Sequence, residues 1–275
     1  MAYKKIIKQV LVWILISIFI LWVIFPIFWM VSLSFKTGAD VYEYPPQIFK
    51  FTTIQNYISL LSDINFLKSL LNSVIIAIST AIISLVIGLP ASYISVRFKF
   101  KGKTNLNNMV IMTRMVPPVV VLLPYFIIFK YFNLYDTHIA VIIMHVIINL
   151  SLVIWVSKGF FKDIPESIEE SALLEGASYW GVFLKIIIPI SKPIMVTLGI
   201  ICFLFSWNEY IYSTILTSKN AITASIFITK FMSYETARWG MLMASSVLII
   251  LPPIIFISII QKGLIRGLTY GAVKE

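Results

Sequence analysis

The sequence predicts an all-α membrane protein with six transmembrane helices. Three observations lead there. The 275 residues are 59% hydrophobic and only 12% charged, whereas a soluble domain is about 45–50% apolar and about 25% charged. Uncharged runs recur at the length of about 20 residues that a helix needs to cross hydrocarbon. The 22 Lys and Arg residues cluster mainly between those runs, in the pattern that fixes membrane orientation.

The first span is expected within 9–35. Lys4, Lys5 and Lys8 precede it, and the uncharged stretch Gln9–Phe35 is 27 residues long. A secretory signal has a core of about 7–15 residues followed by small residues, so this stretch reads as a retained first helix. The second span, 69–96, lies between Lys68 and Arg97. The third, 106–129, contains Arg114, which is either an interfacial anchor or a functional group. The fourth, 137–157, runs from Asp136 to Lys158. The fifth, 193–217, contains Glu209, and the sixth, 239–261, ends before Lys262. With the N-terminus inside, Lys36, Lys50, Lys68, Lys130, Lys219, Lys230 and Arg238 lie outside and the other 15 of the 22 basic residues lie inside. That asymmetry places both termini in the cytoplasm. No repeat of 20–50 residues and no Gly/Ser linker divides the chain, so 1–275 reads as a single transmembrane domain.

A net charge of +10 suggests nucleic acid at first sight, but the basic residues form no patch interleaved with aromatics, so no nucleic-acid partner is expected. The nearest approach to a phosphate loop is "RFKFKGKT", where Arg97 stands in the place of the first glycine. His138 and His145 are the only histidines and have no Cys or H-E-x-x-H context, so no metal site is expected and each reads as a partner for a neighbouring helix. No G-x-S-x-G nucleophile motif is present. The single cysteine, Cys202, forms no internal disulfide and reads as a packed residue. These absences leave no chemical engine in the chain. Pro26, Gly88-Leu89-Pro90, Pro117-Pro118, Pro124 and Pro252-Pro253 interrupt the spans. Such breaks belong where helices pack together or line a cavity, which suits a transporter better than an anchor. Trp207, Asn208 and Glu209 form a polar and aromatic cluster late in the fifth span. Ionisable groups inside a span are functional candidates, and Glu209 has two readings: lining a translocation path, or bonding to an adjacent helix.

The loop 158–192 carries helical signals of its own. In "DIPESIEESALLEG", Pro165 and the acidic Glu166, Glu169 and Glu170 suit a helix N-terminus. At about 100° per residue, Ile164, Ile168, Ser171 and Ala172 fall on one face and Glu166, Glu169 and Glu170 on the other. Gly176 ends or bends that helix, "ASYWGVFLKIII" resumes it, and Pro189 is expected to stop it. The result is an amphipathic helix-turn-helix at the cytoplasmic surface, either a solvated loop or a protrusion for a partner's groove.

Glu170-Ser171-Ala172, three residues, Gly176, nine residues, then Ile186-Ile187-Ile188-Pro189 resembles the EAA motif of ATP-binding-cassette (ABC) importer permeases, E-A-A-x-x-x-G-x9-I-x-L-P. Ser171 stands where Ala is usual and Ile188 where Leu is usual. Glu175 stands where sugar permeases commonly have Asp. "SFKTGADVYEYPP", "NSVIIA", "RMVPP", "SWNEYIYS" and "QKGLIRGLTYGAVKE" extend the resemblance to carbohydrate-uptake permeases of the maltose-transporter type, over nearly the whole chain. Glu275 replaces the usual terminal Gly.

The resemblance implies a type I ABC importer permease fold with a cytoplasmic coupling helix, in a prokaryotic inner membrane. It implies a second homologous permease subunit, an extracytoplasmic solute-binding protein and two ATPase subunits, which would hold the ATP and Mg; the chain itself would need no cofactor. Glu169, Glu170, Ser171, Ala172, Glu175, Gly176 and Pro189 would couple to the ATPase, and Gly267, Thr269, Gly271 and Lys274 in the tail would face it. The implied activity is non-catalytic: translocation of a di- or oligosaccharide by alternating access. A polyol or glycerol phosphate is the alternative solute. An ATP-independent secondary transporter would require inverted repeats and coupling-ion sites, and neither is found.

Overall fold

The structure, a computed structural model, describes residues 2–232 and 238–271; side chains are described for 7–110, 112–232 and 238–260. Among the described residues there are helices and turns and no strand. The helices are α1 (Ala2–Ser34), α2 (Gln55–Ser62), α3 (Ile64–Arg97), α4 (Lys103–Met112), α5 (Pro118–Tyr131), α6 (His138–Asp163), α7 (Glu166–Leu174), α8 (Tyr179–Ile190), α9 (Lys192–Trp207), α10 (Ile211–Leu216), α11 (Ala224–Phe227) and α12 (Trp239–Gly271).

Among the described residues, four helical segments are long and apolar enough to span a membrane: Ile7–Ser34, Ile64–Arg97, His138–Asp163 and Trp239–Ile260. They answer to the first, second, fourth and sixth expected spans. The other two expected spans are broken. The stretch 106–129 is divided into α4 and α5 by residues 113–117. Pro117 is extended there (φ −61°, ψ 131°) and Pro118 opens α5, a position that needs no backbone donor. The fifth, 193–217, is divided after Trp207 into α9 and α10. α9 also forms a bent pair, at 76°, with α8, which falls within the expected loop 158–192.

Packing divides the chain into two compact units, Met1–Leu67 with Ile228–Leu251 and Lys68–Phe227 with Pro252–Glu275. In the first, the chain after α1 folds back through polar contacts. Asn56 donates to the carbonyls of Ser34 (2.9 Å) and Lys36 (3.0 Å), and Thr52 and Thr53 both donate their N–H to Phe35 O at 2.9 Å. Asp40 gathers the Thr37 and Thr52 hydroxyls and Lys50. Gly240 lies so close that a Cβ there would sit 2.5 Å from Lys36 O and 2.7 Å from Asn56 Nδ2, so no other residue fits without breaking the Asn56 bonds.

In the second unit, α3 and α6 run side by side in the same direction. Asn72 meets His138 (2.7 Å) at one end, Ser92 donates to Ile154 O (3.2 Å) further along, and Arg97 donates to Ile164 O (2.7 Å) at the other end. The buried residues of α3 include many small ones, Ser69, Ser73, Ala77, Thr80, Ala81, Ser84, Gly88 and Ser92, beside the larger Phe66, Ile76, Leu89 and Tyr93. Small residues let helix backbones approach in a membrane. At Gly88 the approach is closest, where a Cβ would meet Val153 at 2.6 Å. A second cluster joins Ile76, Phe129, Ala140, Val141, Met144, Tyr212 and Leu216. Cys202, on α9, is fully buried, as a packed residue should be.

Before α6, Asp136 adopts a left-handed backbone (φ 59°), donates its N–H to Leu216 O, and turns its carboxylate onto the chain after α10. Four successive N–H groups, of Ser218, Lys219, Asn220 and Ala221, donate to it at 2.9–3.2 Å. Burial pushes this carboxyl up, but the four donors outweigh it and hold it below the ordinary carboxylate range. Because the folded state depresses this value, the stabilisation is full above the unfolded value of about 3.9 and is lost as pH falls through the lower folded value. Asp136→Ala is expected to remove about 2 kcal/mol near neutral pH. In detergent, thermal unfolding of the variant should start lower than wild type at pH 7, with the gap closing on acidification.

Candidate functional site

The strongest site is the protruding segment between α6 and α9. α7 begins directly after Pro165 and ends in a left-handed residue, Gly176, at φ +91°. Gly176 N–H bonds Leu173 O (3.0 Å) and Ala177 N–H bonds Ala172 O (3.1 Å). These are the two bonds of a Schellman stop, which needs a residue free to take positive φ. Ser178 then caps α8 by accepting the Gly181 N–H at 3.1 Å. Within α8, Phe183–Ile187 forms a π-helical turn. Pro189 was expected to stop this helix. The structure carries it one residue further, to Ile190, and the sharp bend falls at Ser191. Pro189 stands in the first turn of the short α-helical segment that follows the π turn, a position where its missing N–H costs little.

The faces of α7 also differ from the expected pattern. Glu169 was placed with Glu166 and Glu170 on an outward acidic face, but it is 7% exposed and turns inward. One of its oxygens accepts Arg97 Nε at 2.6 Å and the other accepts the Tyr93 hydroxyl at 2.6 Å. Arg97 is the last residue of α3 and also donates to Ile164 O. A guanidinium fixed at the end of α3 attracts the nearest carboxylate of α7 more strongly than the apolar pattern attracts Ile168, which is 40% exposed. The outward side holds Glu170, Ser171, Glu175 and Gly176, with Ala172 half-buried behind them. At its tip, Leu174 is 90% exposed. Sequence reasoning missed Leu174; its spacing of four from Glu170 was the available signal. Arg97 and Tyr93 were missed as site residues as well.

The polar cluster of the fifth span is laid out differently. Trp207 is buried at 3% exposure, while Asn208 is exposed and donates to Leu204 O at 2.9 Å. Glu209 sits at the break before α10 and accepts the N–H groups of Tyr212 (2.8 Å) and Ser213 (3.0 Å) and the Ser213 hydroxyl (2.9 Å). It thereby caps a short helix whose first donors have no other partner. His145 on α6 bonds Glu209 through Nε2 (3.0 Å) and Ser206 through Nδ1 (2.7 Å). With the proton on Nε2, the ring donates to the carboxylate and accepts the Ser206 hydroxyl. The His145–Glu209 bond ties α6 to the break before α10. Both histidines bond across helices, as expected. Arg114 likewise bonds Ser151 on α6, through Nε at 3.1 Å.

Among the described residues, no group of three His, Cys, Asp or Glu side chains is placed to hold a metal. Gly267, Thr269 and Gly271 lie on the last turns of α12, and Lys274 lies outside the described residues.

Several helices long and apolar enough to span a membrane, with a short helix between α6 and α8, fit a multi-pass membrane component. The family described as "binding-protein-dependent transport system inner membrane component" matches residues 84–270, and the chain belongs to it. It is a transport component, not a catalyst. The trehalose transport system permease protein SugB of Mycobacterium tuberculosis is 33% identical over 252 residues, 90% of this chain and 92% of that protein. The trehalose/maltose transport system permease protein MalG of Thermococcus litoralis is 28% identical over 275 residues, 98% of this chain and 99% of that one. A chain from the crystal structure of a bacterial ABC transporter involved in the import of the acidic polysaccharide alginate superposes with a TM-score of 0.76 at 22% identity, covering 94% of this chain and 97% of that one. That likeness establishes the fold.

Glu209→Ala is expected to lower stability by about 2–3 kcal/mol, because it orphans two buried N–H groups and the His145 ring. Glu209→Gln, which keeps an acceptor oxygen, should lose less. The thermal midpoint of the purified, detergent-solubilised chain is the measurement, and equal midpoints for Glu209→Ala and wild type would exclude the capping role.

Proposed function

We propose that this chain is the permease subunit of an ABC importer that moves a carbohydrate, a di- or oligosaccharide, across the inner membrane of a prokaryote. The observation that carries the reading is the family match together with the form of α7, a capped helix with Glu170, Ser171, Leu174 and Glu175 turned outward. The trehalose and maltose transport named for two relatives supports the solute class.

In this reading the chain forms one permease domain, with both termini in the cytoplasm and spans near 9–35, 69–96, 106–129, 137–157, 193–217 and 239–261. α7 is the coupling helix. It enters a cleft on one of two ATPase subunits, where ATP and Mg are bound, and Leu174 is the apolar knob at its tip. Glu170, Ser171, Ala172, Glu175 and Gly176 contact the ATPase or shape the turn, Pro189 sets the exit, and Glu169 supports α7 from behind. The tail residues Gly267, Thr269, Gly271 and Lys274 face the ATPase pair. Trp207, Asn208 and Glu209 stand along the translocation path, with Glu209 shaping it through the α10 cap. A solute-binding protein delivers the sugar on the outer side. A second, homologous permease completes the pathway, and with lipid it covers α1, whose side chains from Ile7 to Ile27 are exposed. An apolar surface that large calls for such a cover.

Glu170→Lys, Leu174→Asp and Gly176→Pro are each expected to leave membrane insertion intact and to cut both ATPase co-purification and ATP-dependent sugar uptake by about tenfold or more, as loss of an anchor residue does at an interface. Pull-down from solubilised membranes and uptake of labelled trehalose or maltose measure this. Wild-type co-purification and uptake in all three variants would sink the reading.

A further inference from the structure

We infer that Arg97 and Tyr93 are positioning residues for energy coupling: through Glu169 they clamp the back of α7 to the inner end of α3, so that a displacement of α7 is passed directly into a membrane-spanning helix. The inference rests on the coupling role proposed for α7.

The geometry is that of a built junction. Both side chains of the Arg97–Glu169 pair are 9% exposed, and their N···O distance is 2.6 Å. The guanidinium divides its donors: Nε to Glu169, Nη2 to Ile164 O at 2.7 Å, and Nη1 towards Glu166 at 3.5 Å. One side chain of α3 therefore holds the turn that leaves α6 and two positions on α7. The second carboxylate oxygen of Glu169 takes the Tyr93 hydroxyl at 2.6 Å. The Tyr93 ring in turn packs on Phe161 of α6 (5.9 Å between centroids) and on Phe183 of α8 (5.0 Å). Phe98, just past α3, packs on Tyr179 at the start of α8 (5.2 Å). So α3 grips both arms of the protrusion, and its own end is the meeting point.

The alternative route for a displacement runs along the chain, through the turns 164–165 and 175–178 into α6 and α8. Each of those turns is a few residues of backbone, whereas the side-chain junction ties α7 to α3 through several short bonds at once. A buried pair is a poor source of net stability, since desolvation offsets most of its attraction. A positioning role explains its presence better than a stabilising one. Pro90 lies seven residues before Arg97 inside α3 and removes one rung of the ladder there, so the helix has a weak point between the junction and its far end.

The test uses the complete transporter, with the binding protein, both permeases and the ATPase, in proteoliposomes. The readout is labelled sugar taken up per ATP hydrolysed, normalised to assembled complex, for Arg97→Ala, for Tyr93→Phe and for the exchange Arg97→Glu with Glu169→Arg. Arg97→Ala is expected to lower uptake per ATP by about tenfold, within what single residues in a coupling network change. Tyr93→Phe should lower it less, and the exchange should restore part of it. Arg97→Ala complex that forms in normal amount and keeps the wild-type ratio overturns the inference. So does a loss that follows only the amount of complex assembled, because the pair is then structural. Failure of the wild-type chain to assemble with an ATPase or to take up sugar would instead sink the proposed function, which separates the two.

Discussion

A backbone N–H or C=O left without a partner has no water to turn to in hydrocarbon, and each such group costs several kcal/mol. Three irregular segments among the described residues are arranged around that constraint. Where the chain breaks between α9 and α10, Glu209 supplies the acceptors that water would supply on a soluble protein, and His145 fixes Glu209 from a neighbouring helix. Where the chain breaks between α4 and α5, two prolines stand at the end of the interruption, and Pro118 starts the next helix without needing a partner for a donor it lacks. At the polar end beyond α10, Asp136 collects a run of four backbone donors. Carboxylates are rare here, with 12 Asp and Glu in the chain, and several of them serve as backbone partners or as ends of a buried pair.

The same economy shapes the protruding segment. α7 is only nine residues long, too short to persist alone in water. It is held by a Schellman stop at one end, by acidic residues at the other, and from behind by the end of α3. Three side chains on its outward side are thereby free of structural duty. Glu170, Leu174 and Glu175 make no hydrogen bond or ion pair among the described residues beyond those of their own backbone. A surface whose shape is set from behind is suited to recognition, because binding does not also have to fold it.

The membrane class, the four long helices, the helical character of 164–176 and its stop at Gly176 were all legible in the sequence, since each is local: composition, charge placement, and one glycine after an acidic-capped run. The inward turn of Glu169 was not. Glu169 and Glu170 are adjacent carboxylates of equal propensity, and what separates them is Arg97, 72 residues away. The helical wheel put Ile168 inside because it weighs hydrophobicity alone, and a fixed guanidinium outweighs one isoleucine. Asp136 was read as a boundary charge, and its partners lie more than 80 residues on. The two-part third span was signalled by Pro117-Pro118, but composition measures how apolar a stretch is and not whether it stays helical. The roles of the histidines were legible because isolated histidines in apolar helices have few other uses.

Cys202 has a practical consequence. It is the single thiol in the chain and it is fully buried on α9. Water-soluble maleimides and methanethiosulfonates react with exposed thiolates and pass over a sealed, apolar one. The native chain is therefore its own unreactive background for chemical labelling. A cysteine introduced at any surface position reports on that position alone, with no prior removal of native thiols and none of the packing loss that such removal brings.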